Sequence, residues 1–160
     1  MNFFTDCEKK ITQTDISLVE NDLSIKFPEA FKSHYLIFNG GTPKNTLWID
    51  PEGKWDENEV GDFLPLRFRK SKSDDPDFTI DGIAREEWAS RKLPPSLVPF
   101  AVDWGGNYFC INHITGEIFF YVKDIWDEKF SDEDNWKNNT RYITSSIQSF
   151  VDNLEFNFEN

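Results

Sequence analysis

Residues 93–122 constrain the fold of this chain more than any other stretch. They hold three apolar runs rich in aromatic residues, separated by two short polar segments. Gly105-Gly106-Asn107 predicts a turn, because glycine reaches positive φ at little steric cost, and residues 112–117 predict a second turn. Turns of this length join neighbouring antiparallel strands, so the stretch predicts a β-meander with a bulky aromatic core.

Helical patterns lie before and after this meander. Residues 12–23 combine a capping pair with apolar residues at spacings of three and four. Pro28 suits the first turn of a second helix, which Asn39-Gly40-Gly41 is expected to end with a left-handed cap. Ser145 and Gln148 form a capping box that predicts a C-terminal helix. Helices therefore occur at both ends of the chain and strands in the middle.

The remaining segments are less regular. Residues 47–49 are strand-like, and residues 60–68 are extended but broken by Pro65, which suits an edge or a bulge. We expect a loop over residues 69–79 and one or two helical turns over residues 83–91. Residues 123–139 are polar and acidic. The length of 160 residues and the absence of a linker predict a single domain over residues 1–160, of the α+β class with a largely antiparallel sheet.

The same segments carry a family resemblance. The run LPPSLVPFAVDWGGNYFCIN, followed by GEIFFYV, resembles the second half of a SUKH domain. FPEAFKSHYLIFNGG, residues 27–41, resembles the Leu-Pro, helix and Asn-Gly-Gly segment of the first half, with Phe27 in place of the usual leucine. The resemblance extends over residues 12–154, and the acidic segment before Trp136 resembles an insertion. It implies helices packed on one side of a twisted sheet, with a helix at the C-terminus.

The resemblance also implies a function. SUKH proteins include bacterial immunity proteins against polymorphic and contact-dependent toxins, and yeast regulators of cell-wall synthesis. We therefore expect an immunity protein that binds and blocks one toxin domain, in the manner of an inhibitor and without catalysis, and nucleases are common among such toxins. The alternative is a SUKH-like regulatory or scaffold module without a toxin partner.

Charge is concentrated in three segments. The chain has a net charge of −12, and residues 50–62 hold six acids and one base. Residues 74–81 hold four acids and no base, and residues 124–134 hold six acids and one base. Such a surface repels nucleic acid and steers a basic partner toward it. Each segment taken alone is equally consistent with an ordinary solvated loop.

Candidate catalytic groups are few. His34 is placed in a helix and His113 in a turn, so both are interpreted as structural residues. Cys110 lies among aromatic residues in a predicted strand, which favours a small buried side chain over a nucleophile. Residues 77–82 imitate the start of a calcium loop, but its twelfth position is Trp88 in place of glutamate. The sequence thus predicts no enzyme, no metal and no cofactor.

Aromatic residues inside the acidic segments indicate a binding surface. Tryptophan is enriched at interface hot spots, and neighbouring carboxylates can meet Arg and Lys of a partner. The alternative is that these aromatic residues anchor loops to the core, which we favour for Trp48. The N-terminus lacks a basic region and an apolar stretch, so we expect a cytoplasmic protein with reduced cysteines. The predicted partner-binding residues are Asp50, Glu52, Trp55, Asp56, Glu57, Asp124, Trp126, Asp127 and Glu128.

Overall fold

The computed structural model describes residues 2–68 and 78–159. The helices are α1 (Gln13–Leu23), α2 (Glu29–Ile37), α3 (Ile80–Ala89), α4 (Asp132–Asn139) and α5 (Ile147–Asn153). The strands are β1 (Phe4–Thr5), β2 (Thr42–Pro43), β3 (Leu47–Trp48), β4 (Asn58–Glu59), β5 (Asp62–Phe63), β6 (Leu97–Val102), β7 (Tyr108–Asn112), β8 (Ile118–Tyr121) and β9 (Thr140–Thr144).

The main sheet has five antiparallel strands in the order β5-β6-β7-β8-β9. Its centre is the predicted meander, with Tyr108 paired to Tyr121 and Phe109 paired to Phe120. Two smaller ladders join β1 to β2 and β3 to β4. The predicted α+β class, the antiparallel sheet and the C-terminal helix are all confirmed.

Aromatic side chains join the sheet to the helices. Phe150 of α5 is fully buried, and its ring centre lies 5.2 Å from that of Phe109. Side chains of neighbouring residues in a strand point to opposite faces. Accordingly, Tyr121 next to Phe120 points the other way and donates its hydroxyl to the carbonyl oxygen of Lys92 at 2.6 Å, just beyond α3. Lys92, just past the end of α3, therefore lies on the face of the sheet opposite to Phe150 of α5.

The ends of the helices refine the sequence predictions. Thr12 and Asp15 form the predicted capping box at α1. The second helix ends at Ile37, before Asn39-Gly40-Gly41, because Phe38 is already extended. Gly41 has a φ of 99°, and its backbone exchanges two hydrogen bonds with that of Phe63. It therefore joins two backbone segments and does not cap the helix.

The cap of the C-terminal helix was predicted one residue too early. Ser146, and not Ser145, caps α5, with its hydroxyl accepting a hydrogen bond from the N–H of Ser149 at 3.1 Å. Helix α3 is longer than expected and begins behind Thr79, whose hydroxyl accepts from Gly82 at 3.0 Å. The choice between adjacent serines depends on tertiary packing, which sequence spacing does not contain.

Helix α4 lies in the polar and acidic segment 123–139, and strand β9, which follows directly, was not predicted from the sequence. Ser131 caps α4, and three acidic residues occupy the first turn of this helix, where the helix dipole favours negative charge. Within residues 2–68 and 78–159, no helix combines the length and apolar character needed to cross a membrane. Residues 69–77 of the loop predicted over residues 69–79 lie outside the described residues, as does the first residue of the calcium-loop imitation, whose last three residues belong to α3.

Candidate partner-binding site

The first acidic loop, residues 50–57, connects β3 to β4 and is organised by one carboxylate. Asp50 accepts hydrogen bonds from the backbone N–H groups of Glu52 at 3.1 Å, Lys54 at 2.9 Å and Trp55 at 3.0 Å. These bonds lower the pKa of Asp50, and the bond from Glu52 has the largest effect. Asp50 therefore holds the loop in one conformation, while Glu52, Asp56 and Glu57 are exposed to solvent.

Trp55 stands at the rim of this loop and is 48% exposed. The guanidinium of Arg141, from β9, lies 5.0 Å from the centre of its ring, and the same guanidinium lies 5.1 Å from the ring of Phe120. Arg141 also donates to the side-chain oxygen of Asn58. Burial lowers the pKa of Arg141, while the charges of Asp50 and Asp56 act in the opposite direction. The guanidinium of Arg141, from the main sheet, thus contacts both the acidic loop and the sheet.

The second acidic loop, residues 124–130, is held by two buried asparagines of α4. Asn135 is 3% exposed, and its amide both accepts from the N–H of Asp127 and donates to its carbonyl, each at 2.9 Å. Asn139 is 4% exposed and donates to the carbonyl of Ile125. Neither asparagine was predicted from the sequence. Their spacing of four residues on one helix face, behind a serine cap, is the signal that could have indicated them.

The carboxylates of the second loop face solvent. Asp124, Asp127 and Glu128 are exposed, whereas Trp126 is half-buried. The ammonium of Lys92 lies 4.5 Å from the centre of the Trp126 ring. Each loop therefore presents carboxylates beside a tryptophan that is covered on one side by a cation from the body of the protein.

The two loops meet opposite faces of the sheet at the same end of β8. Phe120 lies beneath Arg141 and hence on the side of Trp55. Tyr121 points to the other face and bonds to the backbone of Lys92, whose side chain covers Trp126. The predicted residues therefore form two groups that flank the beginning of β9.

The histidines and the buried Cys110 lie in structural surroundings. His34 is packed against Phe4 and Phe63, with ring centres 4.9 and 5.6 Å away, and burial lowers its pKa to about 4. Cys110 is fully buried, and burial raises the pKa of its thiol. A ring nitrogen of His113 lies 3.0 Å from the carbonyl of Pro95. In the described part of the chain, no three His, Cys, Asp or Glu residues are grouped to hold a metal ion.

Comparison with known families agrees with this architecture. Residues 10–153 match the model of the SMI1 / KNR4 family (SUKH-1), and the chain belongs to that family. The match spans the five helices and the five-stranded sheet found in the described residues. No curated protein matches the chain significantly. The resemblance identified from the sequence is confirmed.

Proposed function

We propose that this SUKH-family chain is an immunity protein that binds and neutralises one cognate polymorphic or contact-dependent toxin domain in the cytoplasm. Family membership supports a protein-binding role. The observation that carries the proposal is the organisation of the first acidic loop, where three backbone N–H groups converge on Asp50. A loop that is already ordered loses less conformational entropy when a partner binds.

Charge provides the mechanism of inhibition. A nuclease toxin requires a basic cleft to hold phosphates, so an ordered row of carboxylates competes for that cleft as a polyanion. Glu52, Asp56 and Glu57 supply the charge of the first loop. Asp124, Asp127 and Glu128 supply it in the second loop. All six are exposed.

Trp55 and Trp126 act as the anchors of this interface. Aromatic side chains that are rigid before binding give large contact area at low entropic cost, and both rings are held by a neighbouring cation. Because the two rings lie on opposite faces of the sheet, a toxin that contacts both must span the end of β8 and β9.

The test is a binding measurement with the toxin domain encoded by the adjacent gene. Wild type and the triple variant Glu52→Lys, Asp56→Lys, Glu57→Lys are titrated with that domain by calorimetry, and the toxin activity is measured in the same mixtures. We expect tight binding and full inhibition by wild type, with loss of both in the variant. Absence of binding by wild type contradicts an immunity role and favours the regulatory or scaffold module.

A further inference from the structure

Strand β9 forms one edge of the main sheet. In the described residues it pairs with β8 alone, as the last strand in the order β5-β6-β7-β8-β9. An edge strand presents a row of backbone donors and acceptors that can pair with a further strand. The other outer strand, β5, consists of two residues and its neighbour Gly41 bonds to Phe63. Edge pairing is therefore more accessible at β9.

The hydrogen-bond pattern identifies the outward groups of β9. The N–H of Val122 donates to the carbonyl of Asn139 at 3.0 Å. Hydrogen-bonded pairs alternate along antiparallel strands, so the next such pair is Phe120 with Arg141. Tyr142, one residue further, consequently directs both its N–H and its carbonyl away from β8. Its side chain is 52% exposed.

A groove of about 410 Å³ lies beside this edge. Residues 140–143 of β9 form one wall, and Asp50 and Trp55 belong to the opposite wall. Consecutive strand residues point to alternate faces, so a groove that touches four of them in succession follows the strand edge. Four strand residues extend over roughly 13 Å, at about 3.3 Å per residue, which sets the length of edge beside the groove.

The charge beside the groove is mainly negative. The adjoining residues 50–59 contain five carboxylates, whereas the nearby cations are Lys54 and Arg141. The surplus of negative charge favours a segment with basic side chains.

We infer that the outer edge of β9 takes up an extended, basic segment of the toxin as a sixth strand of the sheet, beside the first acidic loop. This inference rests on the proposed function and states how the partner docks. Backbone pairing with Tyr142 would fix the position of the segment, and the carboxylates of the loop would select its Lys or Arg side chains.

The experiment separates the backbone donor from the side chain at one position. Tyr142→Pro removes the outward N–H, and an edge strand tolerates proline where the N–H faces solvent. Tyr142→Thr removes the ring and keeps the N–H. Affinity for the toxin domain is measured for both variants and for wild type. We expect Tyr142→Pro to bind at least about tenfold more weakly than Tyr142→Thr, through a lost hydrogen bond and a blocked edge.

Amide hydrogen exchange supplies a measurement that needs no variant. In wild type, the exchange of the Tyr142 amide should slow at least about tenfold when the toxin domain is added. Equal affinity of the two variants, or unchanged exchange at Tyr142 in a complex that forms, overturns strand addition and leaves the immunity role standing. A toxin domain that does not bind wild type overturns both. If Tyr142→Pro is destabilised, the exchange measurement alone decides.

Discussion

The guanidinium of Arg141 stacks 5.0 Å from the centre of the Trp55 ring, which connects the acidic loop to the edge strand of the main sheet. The chain has a net charge of −12, and this cation lies close to the carboxylates of Asp50 and Asp56 in the loop. A cation–π contact of this kind is worth roughly 0.5–2 kcal/mol. The relationship explains how a half-exposed tryptophan keeps a fixed orientation before a partner arrives.

Replacing the anchoring tryptophans should weaken binding more than folding. Trp55→Ala and Trp126→Ala should each cost about 2 kcal/mol or more in toxin affinity if they are central anchors. Their melting temperatures should fall only slightly, because neither ring is fully buried. Trp104, which is 73% exposed and outside both loops, provides the matched control. Should Trp104→Ala weaken binding as much as Trp55→Ala, the interface lies elsewhere.

Reversal of charge should divide the carboxylates of the first loop into two classes. Glu52→Lys and Glu57→Lys change exposed side chains. We therefore expect the free energy of unfolding to change by less than about 0.5 kcal/mol and the binding free energy to weaken by several kcal/mol. Asp50→Lys should also disorder the loop, since three N–H groups lose their acceptor. Thermal unfolding and calorimetry on the same variants test this division. Asp50→Asn keeps part of the hydrogen bonding, so its effect on the loop should be smaller than that of Asp50→Lys. Identical behaviour of Asp50→Lys and Glu52→Lys would contradict the structural role.

Association with the toxin should depend strongly on salt. Localised charge accelerates encounter, and its field is screened over about 8–10 Å near physiological ionic strength. The association rate measured by stopped flow should therefore fall as salt rises, while the dissociation rate changes less. The triple variant at positions 52, 56 and 57 should show a flatter or reversed dependence. A wild-type rate that is constant across salt concentrations would argue against a polyanion mechanism.

The parts of the fold that were predictable are those fixed by local patterns. The meander follows from three aromatic runs and two turns, and the Gly105-Gly106 turn is present with Gly106 at a φ of 85°. Trp48 is 4% exposed, which confirms its placement in the core. These features depend on residues close together in sequence, where spacing and turn chemistry carry the information.

The parts that were missed depend on distant contacts. Helix α4 has a polar sequence without an apolar stripe, and its stability comes from Asn135 and Asn139 bonding a loop eight to fourteen residues earlier. Strand β9 pairs with β8, from which it is separated in the sequence by that loop and helix. The pairing of Arg141 with Trp55 joins residues from two separate segments. The acidic segments could be predicted from composition, but not their division between two faces of the sheet.

Three glycines should respond to substitution in a definite order. A Cβ at Gly41 would stand 2.5 Å from the carbonyl oxygen of Thr5, and Gly41 has positive φ. Gly106 also has positive φ but open space around it, and Gly105 has neither restriction. We expect Gly41→Ala to destabilise most, Gly106→Ala by about 1–2 kcal/mol, and Gly105→Ala least. Chemical denaturation of the three variants measures the order. Equal stability of Gly105→Ala and Gly106→Ala would contradict the assigned turn geometry.

Stability should fall between about pH 6.5 and pH 4 through the protonation of His34. Burial among aromatic rings lowers the pKa of this histidine to about 4, against an ordinary value near 6.5. The unfolded chain therefore takes up a proton in this interval before the folded chain does. The contribution is fully present above pH 6.5 and is lost progressively toward pH 4, on the order of 3 kcal/mol in all.

His34→Phe isolates this contribution, because the Nε2 atom of His34 is buried and has no hydrogen-bond partner among the described residues. A phenyl ring keeps the contacts with Phe4 and Phe63 and cannot be protonated. The free energy of unfolding of both proteins is measured by urea denaturation from pH 8 to pH 4. The two curves should run parallel above pH 7 and diverge below pH 6.5, with wild type losing more stability. Parallel curves down to pH 4 would show that His34 becomes protonated in the folded state as readily as in the unfolded chain.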